Sequence, residues 1–367
     1  KGIYPKVLSL FLTCLTGGTR FSDIGSWMHG REVVAACFGV KWLPRAASVL
    51  TRFLGKFRHM HAERLRESSG GLARRLLEAE AVAEDDLVLD STVCTRYGEQ
   101  EGSKKGYNPN KPGRPSHHPL KASLGCGYVV NLWNRSGNVH TADQVAAFLD
   151  QTCRELPPSL KLRRVLADSG FGENGFLKHL ESKGLRYIVA MRLSACVQTA
   201  IRQIAEWTEV APGIEMAEAR IRLSTWEQAR RMVFVRQHVP SRPRATGKQP
   251  TLFEDLEDHR EYRYGAMVTN DEELAAEKVW RTYQGKRILI LQFGPFKRRT
   301  AGWGMGMAFP GGLDDQIGVL PGQVEEPAVA GNGVPQSLNF VRGDVAHVIA
   351  AVLPDLMVEV ASALHGA

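Results

Sequence analysis

Two aspartates stand at the ends of short apolar runs. Leu87-Val88-Leu89 leads into Asp90, and the stretch KLRRVLADSGF (161–171) leads into Asp168. A buried strand seldom carries a lone acid, because an unpaired charge is costly to take out of water. In a mixed sheet, carboxylates at the ends of neighbouring strands converge on one point. Two or three such oxygens bind Mg²⁺, which keeps its other positions for water and phosphate. Two ions about 3.5–4 Å apart activate a nucleophile and stabilise the leaving oxygen of an in-line phosphoryl displacement. That chemistry asks for a third acid to hold the second ion. The plainer role for each aspartate is a cap at a strand-to-loop junction, and residue types alone leave both roles open.

The surroundings favour the chemical role. Arg96, Lys104, Lys105, Lys111, Arg114 and Lys121 follow the first acid, with Tyr97, Tyr107 and His117-His118 interleaved. Basic residues mixed with aromatics suit a phosphate backbone and unstacked bases, although a solvated loop has the same composition. Adjacent histidines on one strand point to opposite faces, which argues against a metal pair. No G-x-S-x-G elbow is present, so a hydrolase triad has little support.

The elements that must position these residues come from a chain of 367 residues, enough for two or three units. Apolar residues make up 43% and charged residues 23%, ordinary for a globular protein. The net charge of +8 suits a polyanionic partner. Six scattered cysteines without C-x-x-C spacing argue for a reducing compartment and against a zinc knuckle or disulfide framework. No apolar run reaches the length of a membrane span and no signal peptide is visible, so a cytoplasmic location and no membrane partner are expected. The chain opens on Lys1 rather than Met, which places the expected natural N-terminus upstream.

Residues 1–83 read as helical. Val7, Leu8, Leu10, Phe11 and Leu15 cluster before Gly17-Gly18, Phe21-Ser22-Asp23-Ile24 resembles a stapled cap, and Pro44 opens a helix through Phe57. Lys56, Arg58, His59 and His61 form a basic tail. A small bundle with a solvated edge and a helix-turn-helix-like module touching DNA both fit that pattern. Residues 84–192 alternate strands with helices. Strands are expected at 87–89, 120–126, 128–133, 164–167 and 187–191, and helices at 141–156 and 172–183. The natural packing is an α/β mixed sheet flanked by helices. Residues 193–270 form a β-rich insertion, with strands at 218–223, 231–238 and 261–269 and a basic proline-containing loop at 240–249. Asn270-Asp271 caps a helix to about Tyr283. Residues 271–300 complete the core. Residues 301–367 form a glycine-rich irregular tail, with nine glycines and four prolines in 301–335, and an apolar period in 341–364 suggests a terminal helix.

Three places carry a resemblance: DSTVCTRYGEQEGSKKGYNPNKPGRPSHHPL (90–120), ADSGF (167–171), and the helix leading into VWRTYQGK (279–286). Together they resemble DDE transposases of bacterial insertion sequences, in the branch whose last motif reads Y-x2-R-x3-E-x6-K. The likeness covers about residues 15–286. It implies an RNase H-like core interrupted by a β-rich insertion, with Asp90 on the first strand and Asp168 on the fourth as catalytic metal ligands. The implied reaction is Mg²⁺-dependent (Mn²⁺ as a substitute) two-ion cleavage of element ends and joining to target DNA. The implied partners are the terminal inverted repeats and target DNA, with a helical N-terminus that helps recognise ends. Two ends must be brought together, which a homodimer does simply. The expected cellular place is then the cytoplasm, at the nucleoid.

The last motif departs from that pattern. Aligned on Tyr283, it places Lys286 at the arginine, Ile290 at the third acid and Lys297 at the lysine. Tyr283 and Lys286 join the expected DNA contacts, but isoleucine cannot hold a metal ion. Loss of one acid should weaken the second ion and remove most activity. Arg287-Ile288 is what an Ala-Asp codon pair becomes after loss of one nucleotide, so a frameshift near Lys286 is expected. Glu277 lies more than three helical turns before the expected position, about 20 Å away at 1.5 Å per residue, and makes a poor substitute. Glu325 and Glu326 fall in the suspect tail. Three functions follow: a transposase, defective if the third acid is missing; a non-catalytic DNA-binding remnant; and an RNase H-like nuclease without end specificity.

Overall fold

The computed structural model describes residues 2–16, 20–57, 59–98, 100–109, 111–141, 143–239 and 261–292. Lys297, Glu325, Glu326, the loop at 240–249 and the tail at 301–367 lie outside the described residues. The chain divides into two compact units, one within Lys1–Glu80 and one within Ala81–Gly294.

The first unit is helical: α1 (Tyr4–Leu15), a 3-10 helix (Phe21–Gly30), α2 (Arg31–Cys37), α3 (Ala47–Leu54) and α4 (His59–Ala79). Leu8 and Leu12 of α1 pack with Ala35 and Leu43, and Val7 and Phe11 lie against that cluster. Asp23 caps the 3-10 helix locally, its Oδ2 accepting from the Arg20 N–H at 2.8 Å. The helix after Pro44 begins at Ala47 because Ala46 is still extended.

The second unit is a nine-stranded mixed sheet flanked by helices. Its strands are β1 (Glu84–Ser91), β5 (Leu120–Leu124), β6 (Val129–Trp133), β7 (Lys161–Ala167), β8 (Tyr187–Ala190), β9 (Thr208–Ala211), β10 (Ile214–Ile221), β11 (Arg230–His238) and β12 (Tyr262–Thr269). Between β1 and β5 a second, three-stranded sheet is built from β2 (Cys94–Thr95), β3 (Lys104–Lys105) and β4 (Pro115–His117). The helices are α5 (Val145–Glu155), α6 (Asn174–Ser182), α7 (Ala195–Arg202) and α8 (Ala276–Gln292).

The large sheet runs β6-β5-β1-β7-β8-β12-β11-β10-β9. β5 and β6 are antiparallel neighbours on one side of β1, while β7 and β8 continue parallel to it on the other. Three antiparallel strands followed by two parallel ones make the RNase H-like arrangement. The strands of the 193–270 region continue the same sheet, because β12 pairs antiparallel with β8 through Val268↔Val189. β1 and β7 are central and read as apolar runs because both faces are covered. Leu87, Val88, Leu89, Val165, Leu166 and Ala167 are all buried.

Helix α8 lies over one face. Its Val279, Trp280 and Tyr283 pack in one cluster with Val88, Leu166, Ile188, Val233 and Met267. The helix starts at Ala276, later than a cap at Asn270-Asp271 predicts. Asn270 instead accepts from the Tyr187 N–H and donates to the Leu185 carbonyl, which ties it to β8. Asp271 is buried beside Arg164 and Arg186, and the Arg231 guanidinium holds the Asp271 and Leu274 carbonyls.

Candidate active site

Asp90 and Asp168 are brought side by side by the parallel pairing of β1 with β7. Leu89↔Ala167 is the last paired position, and each aspartate is the next residue in its chain segment. The face they share follows from strand alternation, since residues i and i+2 project to the same side. Val88 and Leu166 face the α8 cluster. Asp90, two residues beyond Val88, takes the same face. Asp168 keeps extended backbone (φ −79°, ψ 179°), so it follows Leu166 in the same way. Both carboxylates therefore belong to the face that α8 covers.

Their surroundings differ. Asp90 is 6% exposed and pairs in register with Lys121 on β5, whose Nζ lies 3.9 Å from Asp90 Oδ2. Asp168 follows β7 directly and caps the 3-10 helix Ser169–Phe171, its Oδ1 accepting from the Gly170 N–H at 2.9 Å. The capping role considered from sequence is thus present for Asp168, and it leaves oxygen lone pairs for further partners.

A polar chain that residue types did not reveal sits beside the acids. His118 Nδ1 is 3.1 Å from the Val139 carbonyl oxygen, which can only accept, so Nδ1 carries the proton. Its Nε2 then accepts from the Ser91 hydroxyl at 2.9 Å. Burial pushes the His118 pKa down, and the neighbouring Asp168 carboxylate opposes that only in part. A neutral ring is what this hydrogen-bond pattern needs. Arg135 is also buried, its guanidinium donating to the carbonyls of His118, His140, Thr141 and Asp143. These bonds hold the loop after β6 against the β4–β5 connection that carries His118.

The basic residues fall into distinct settings. Lys104, Lys105, Lys111 and Arg114 are exposed on the three-stranded sheet and its loops. Arg96 is half-buried, its Nε donating to His117 Nδ1 at 2.8 Å, while His117 Nε2 meets the Glu101 carbonyl. His117 and His118 thus serve separate partners, as alternation requires. Tyr283 and Lys286 are buried at 8% and 2%, with the Lys286 ammonium 5.6 Å from the Tyr283 ring centre. On α8, Val279, Tyr283 and Lys286 form a buried stripe, and position 290 continues its spacing. Glu277 is engaged with Arg281 at 2.7 Å, on the turn before. Among the described residues, no group of three or more histidine, cysteine, aspartate or glutamate side chains is arranged to hold a metal ion.

An RNase H-like sheet with two aspartates abreast on its first and fourth core strands is the arrangement that the resemblance to DDE transposases implied. The chain belongs to the family described as transposase DDE domain group 1, whose profile matches residues 44–280. Members of this family bind DNA and use divalent metal. Among solved structures, the chain is similar to a piggyBac transposase in a synaptic complex with hairpin DNA, at 13% identity and a TM-score of 0.31. That similarity covers 60% of this chain and 39% of the piggyBac chain. No curated protein sequence matches. Among the described residues, no helix is long and apolar enough to cross a membrane.

Proposed function

We propose that this chain is a DNA transposase unit with an incomplete metal centre. Asp90 and Asp168 hold one divalent ion, Mg²⁺ or Mn²⁺. Ile290 occupies the place of the third acid, so cleavage of element ends and joining to target DNA are severely impaired. The observation that carries this reading is the register: two carboxylates one step beyond Leu89↔Ala167, on one face of the sheet.

The donor set fits a hard cation. Mg²⁺ is commonly bound by one or two carboxylates, with water and substrate phosphate filling the rest of its shell. When bound, such an ion neutralises charge on a phosphoryl group and lowers the pKa of bound water. The chain's own residues supply the remainder. Lys121 balances Asp90 while no cation is present, and the Ser91–His118–Val139 chain fixes the end of β1 next to Asp90. Lys104, Lys105, Lys111 and Arg114 take the phosphate backbone of terminal inverted repeats or target DNA. A homodimer presents two such sites to two ends.

Mn²⁺ titration and a cleavage and strand-transfer assay on the terminal repeats test the reading together. The expected result is one Mn²⁺ per chain, lost in Asp90→Asn and in Asp168→Asn, with DNA bound but scarcely cut. Efficient cleavage and joining by the wild type would show that a third acid is supplied from elsewhere. DNA binding without Mn²⁺ binding would identify a non-catalytic remnant, the reading that Ile290 favours next. Cleavage of arbitrary DNA or RNA would identify a nuclease.

A further inference from the structure

We infer that the three-stranded sheet β2-β4-β3 is a stacking platform for unpaired nucleotides, so that the chain prefers single-stranded DNA over duplex beside its acids. This rests on the DNA-binding part of the proposed function and deepens it.

The platform grows out of the strand pair that carries Asp90. β1 and β5 pair through Asp90↔Lys121 and Ser91↔Leu120, and the same two segments pair again as β2 and β4 through Cys94↔His117 and Thr95↔Ser116. β3 joins the other side of β4, and Thr95 and Lys104 both face Ser116. Because β2 and β3 are each antiparallel to β4, they run in the same direction. Their chains leave the small sheet at the same end, and the next residues in each include a tyrosine: Tyr97 after β2 and Tyr107 after β3. Tyr97 is the seventh residue after Asp90, so this end lies no more than about 23 Å along the strand from the acid.

Both rings are left in solvent. Tyr107 is 75% exposed and Tyr97 is 54% exposed, although a tyrosine can bury roughly 150 Å² or more against a protein. Tyr107 is held firmly. Gly106, next to Tyr107, packs so closely on the backbone of Gly137-Asn138 that a Cβ there would collide with the Gly137 carbonyl. Asn108, on the other side, is buried and exchanges hydrogen bonds with Thr95. The Arg114 guanidinium lies 5.7 Å from the Tyr97 ring centre, which adds a flat cation to the same end. Lys104, Lys105 and Lys111 are exposed around it, against one exposed acid among the described residues of 92–119, Glu101.

Exposed aromatics in a cationic surround match the way single strands are bound without sequence preference, with bases on rings and phosphates on lysines. A duplex keeps its bases stacked inside and offers such rings nothing, while it uses the lysines equally well.

The test is fluorescence anisotropy of the full chain with a labelled single-stranded oligonucleotide and with the blunt duplex of the same sequence. The wild type is expected to bind the single strand more tightly. Tyr97→Ala and Tyr107→Ala should each weaken the single strand about tenfold and leave the duplex within roughly twofold. Tyr107→Phe should retain affinity, because stacking needs the ring and not the hydroxyl. Lys104→Ala/Lys105→Ala should weaken both forms and flatten their salt dependence. Equal loss on both DNA forms in the tyrosine variants would overturn the platform, and so would a wild type that binds duplex as tightly as single strand. Mn²⁺ titration of the same variants separates the two claims. Retained Mn²⁺ binding without tyrosine dependence removes only the platform. Tyrosine dependence without Mn²⁺ binding removes only the metal centre, and no DNA binding of either form removes the platform together with the DNA-binding part of the proposed function.

Discussion

Lys121 faces Asp90 across the β1–β5 pair, with its ammonium 3.9 Å from the carboxylate and both side chains largely shielded from water. The lysine occupies part of the electrostatic role that a divalent ion would take. Lys121→Met removes that charge and keeps the chain's length and packing. The metal-free variant should lose on the order of 1–3 kcal/mol, because the buried carboxylate loses its cationic partner. It should also bind Mn²⁺ more tightly, so that Mn²⁺ raises its melting temperature by more than it raises the wild type's. Differential scanning fluorimetry with and without Mn²⁺ reads both effects. Weaker Mn²⁺ binding in the variant would instead make Lys121 a residue that positions Asp90.

Asp168 has two duties that substitutions can separate. Asparagine at this position can still accept from the Gly170 N–H but brings no charge. Asp168→Asn should therefore keep close to wild-type stability and lose Mn²⁺ binding. Asp168→Ala should lose the ion and also about 1 kcal/mol of stability through the missing cap. Equal melting temperatures for the two variants would show that the cap is unimportant. Retained Mn²⁺ binding in either would remove Asp168 from the metal site.

The two aspartates were legible because Leu87-Val88-Leu89 and Val165-Leu166-Ala167 are apolar and buried, a local pattern that ends abruptly on an acid. The sheet order and the α8-covered face were not, since they depend on pairings such as Leu89↔Ala167 and Val268↔Val189 across long stretches of chain. The small sheet was missed for a related reason. Its strands are two or three residues long, and buried Ser116, His117 and Asn108 take the place of an apolar alternation. The start of α8 was misread because Asn270-Asp271 resembles a cap locally, while Tyr187, Arg164 and Arg231 claim those groups from elsewhere in the fold.

Glu181 on α6 predicts an acid limit to stability. Burial raises its pKa, but the two-pronged Arg230 contact and the Tyr187 hydroxyl outweigh that, and the carboxyl titrates below its ordinary value. A carboxyl depressed in the folded state contributes stability above its unfolded pKa and loses it as pH falls through the folded one. The contribution should be complete at neutral pH and should fade below about pH 4. Because α6 follows Asp168 and Arg230 begins β11, this network bolts the insertion strands to the core. Melting curves from neutral to acid pH should fall more steeply for the wild type than for Glu181→Gln. Parallel curves would show that other carboxylates control acid unfolding.

Position 290 offers the sharpest test of what the chain lacks. Val279, Tyr283 and Lys286 line the buried side of α8 and the helix continues to Gln292, so helical spacing makes 290 the next position expected on that stripe. The stripe packs on the face of the sheet to which Asp90 and Asp168 both belong. An acid at 290 would complete a three-carboxylate set able to hold a second ion. Ile290→Glu should raise the Mn²⁺ stoichiometry from one to two per chain. It should also increase Mg²⁺-dependent strand cleavage on the order of a hundredfold, an effect absent from the single variants with Asp90→Asn or Asp168→Asn added. Ile290→Gln, similar in size to the acid but uncharged, should gain neither. A second ion without cleavage would mean that the chain lacks more than the acid, with Lys286, which stands at the arginine of the motif, the next to replace. No second ion at all would show that α8 does not present position 290 to the two aspartates, and the assignment of the missing acid would fall with it.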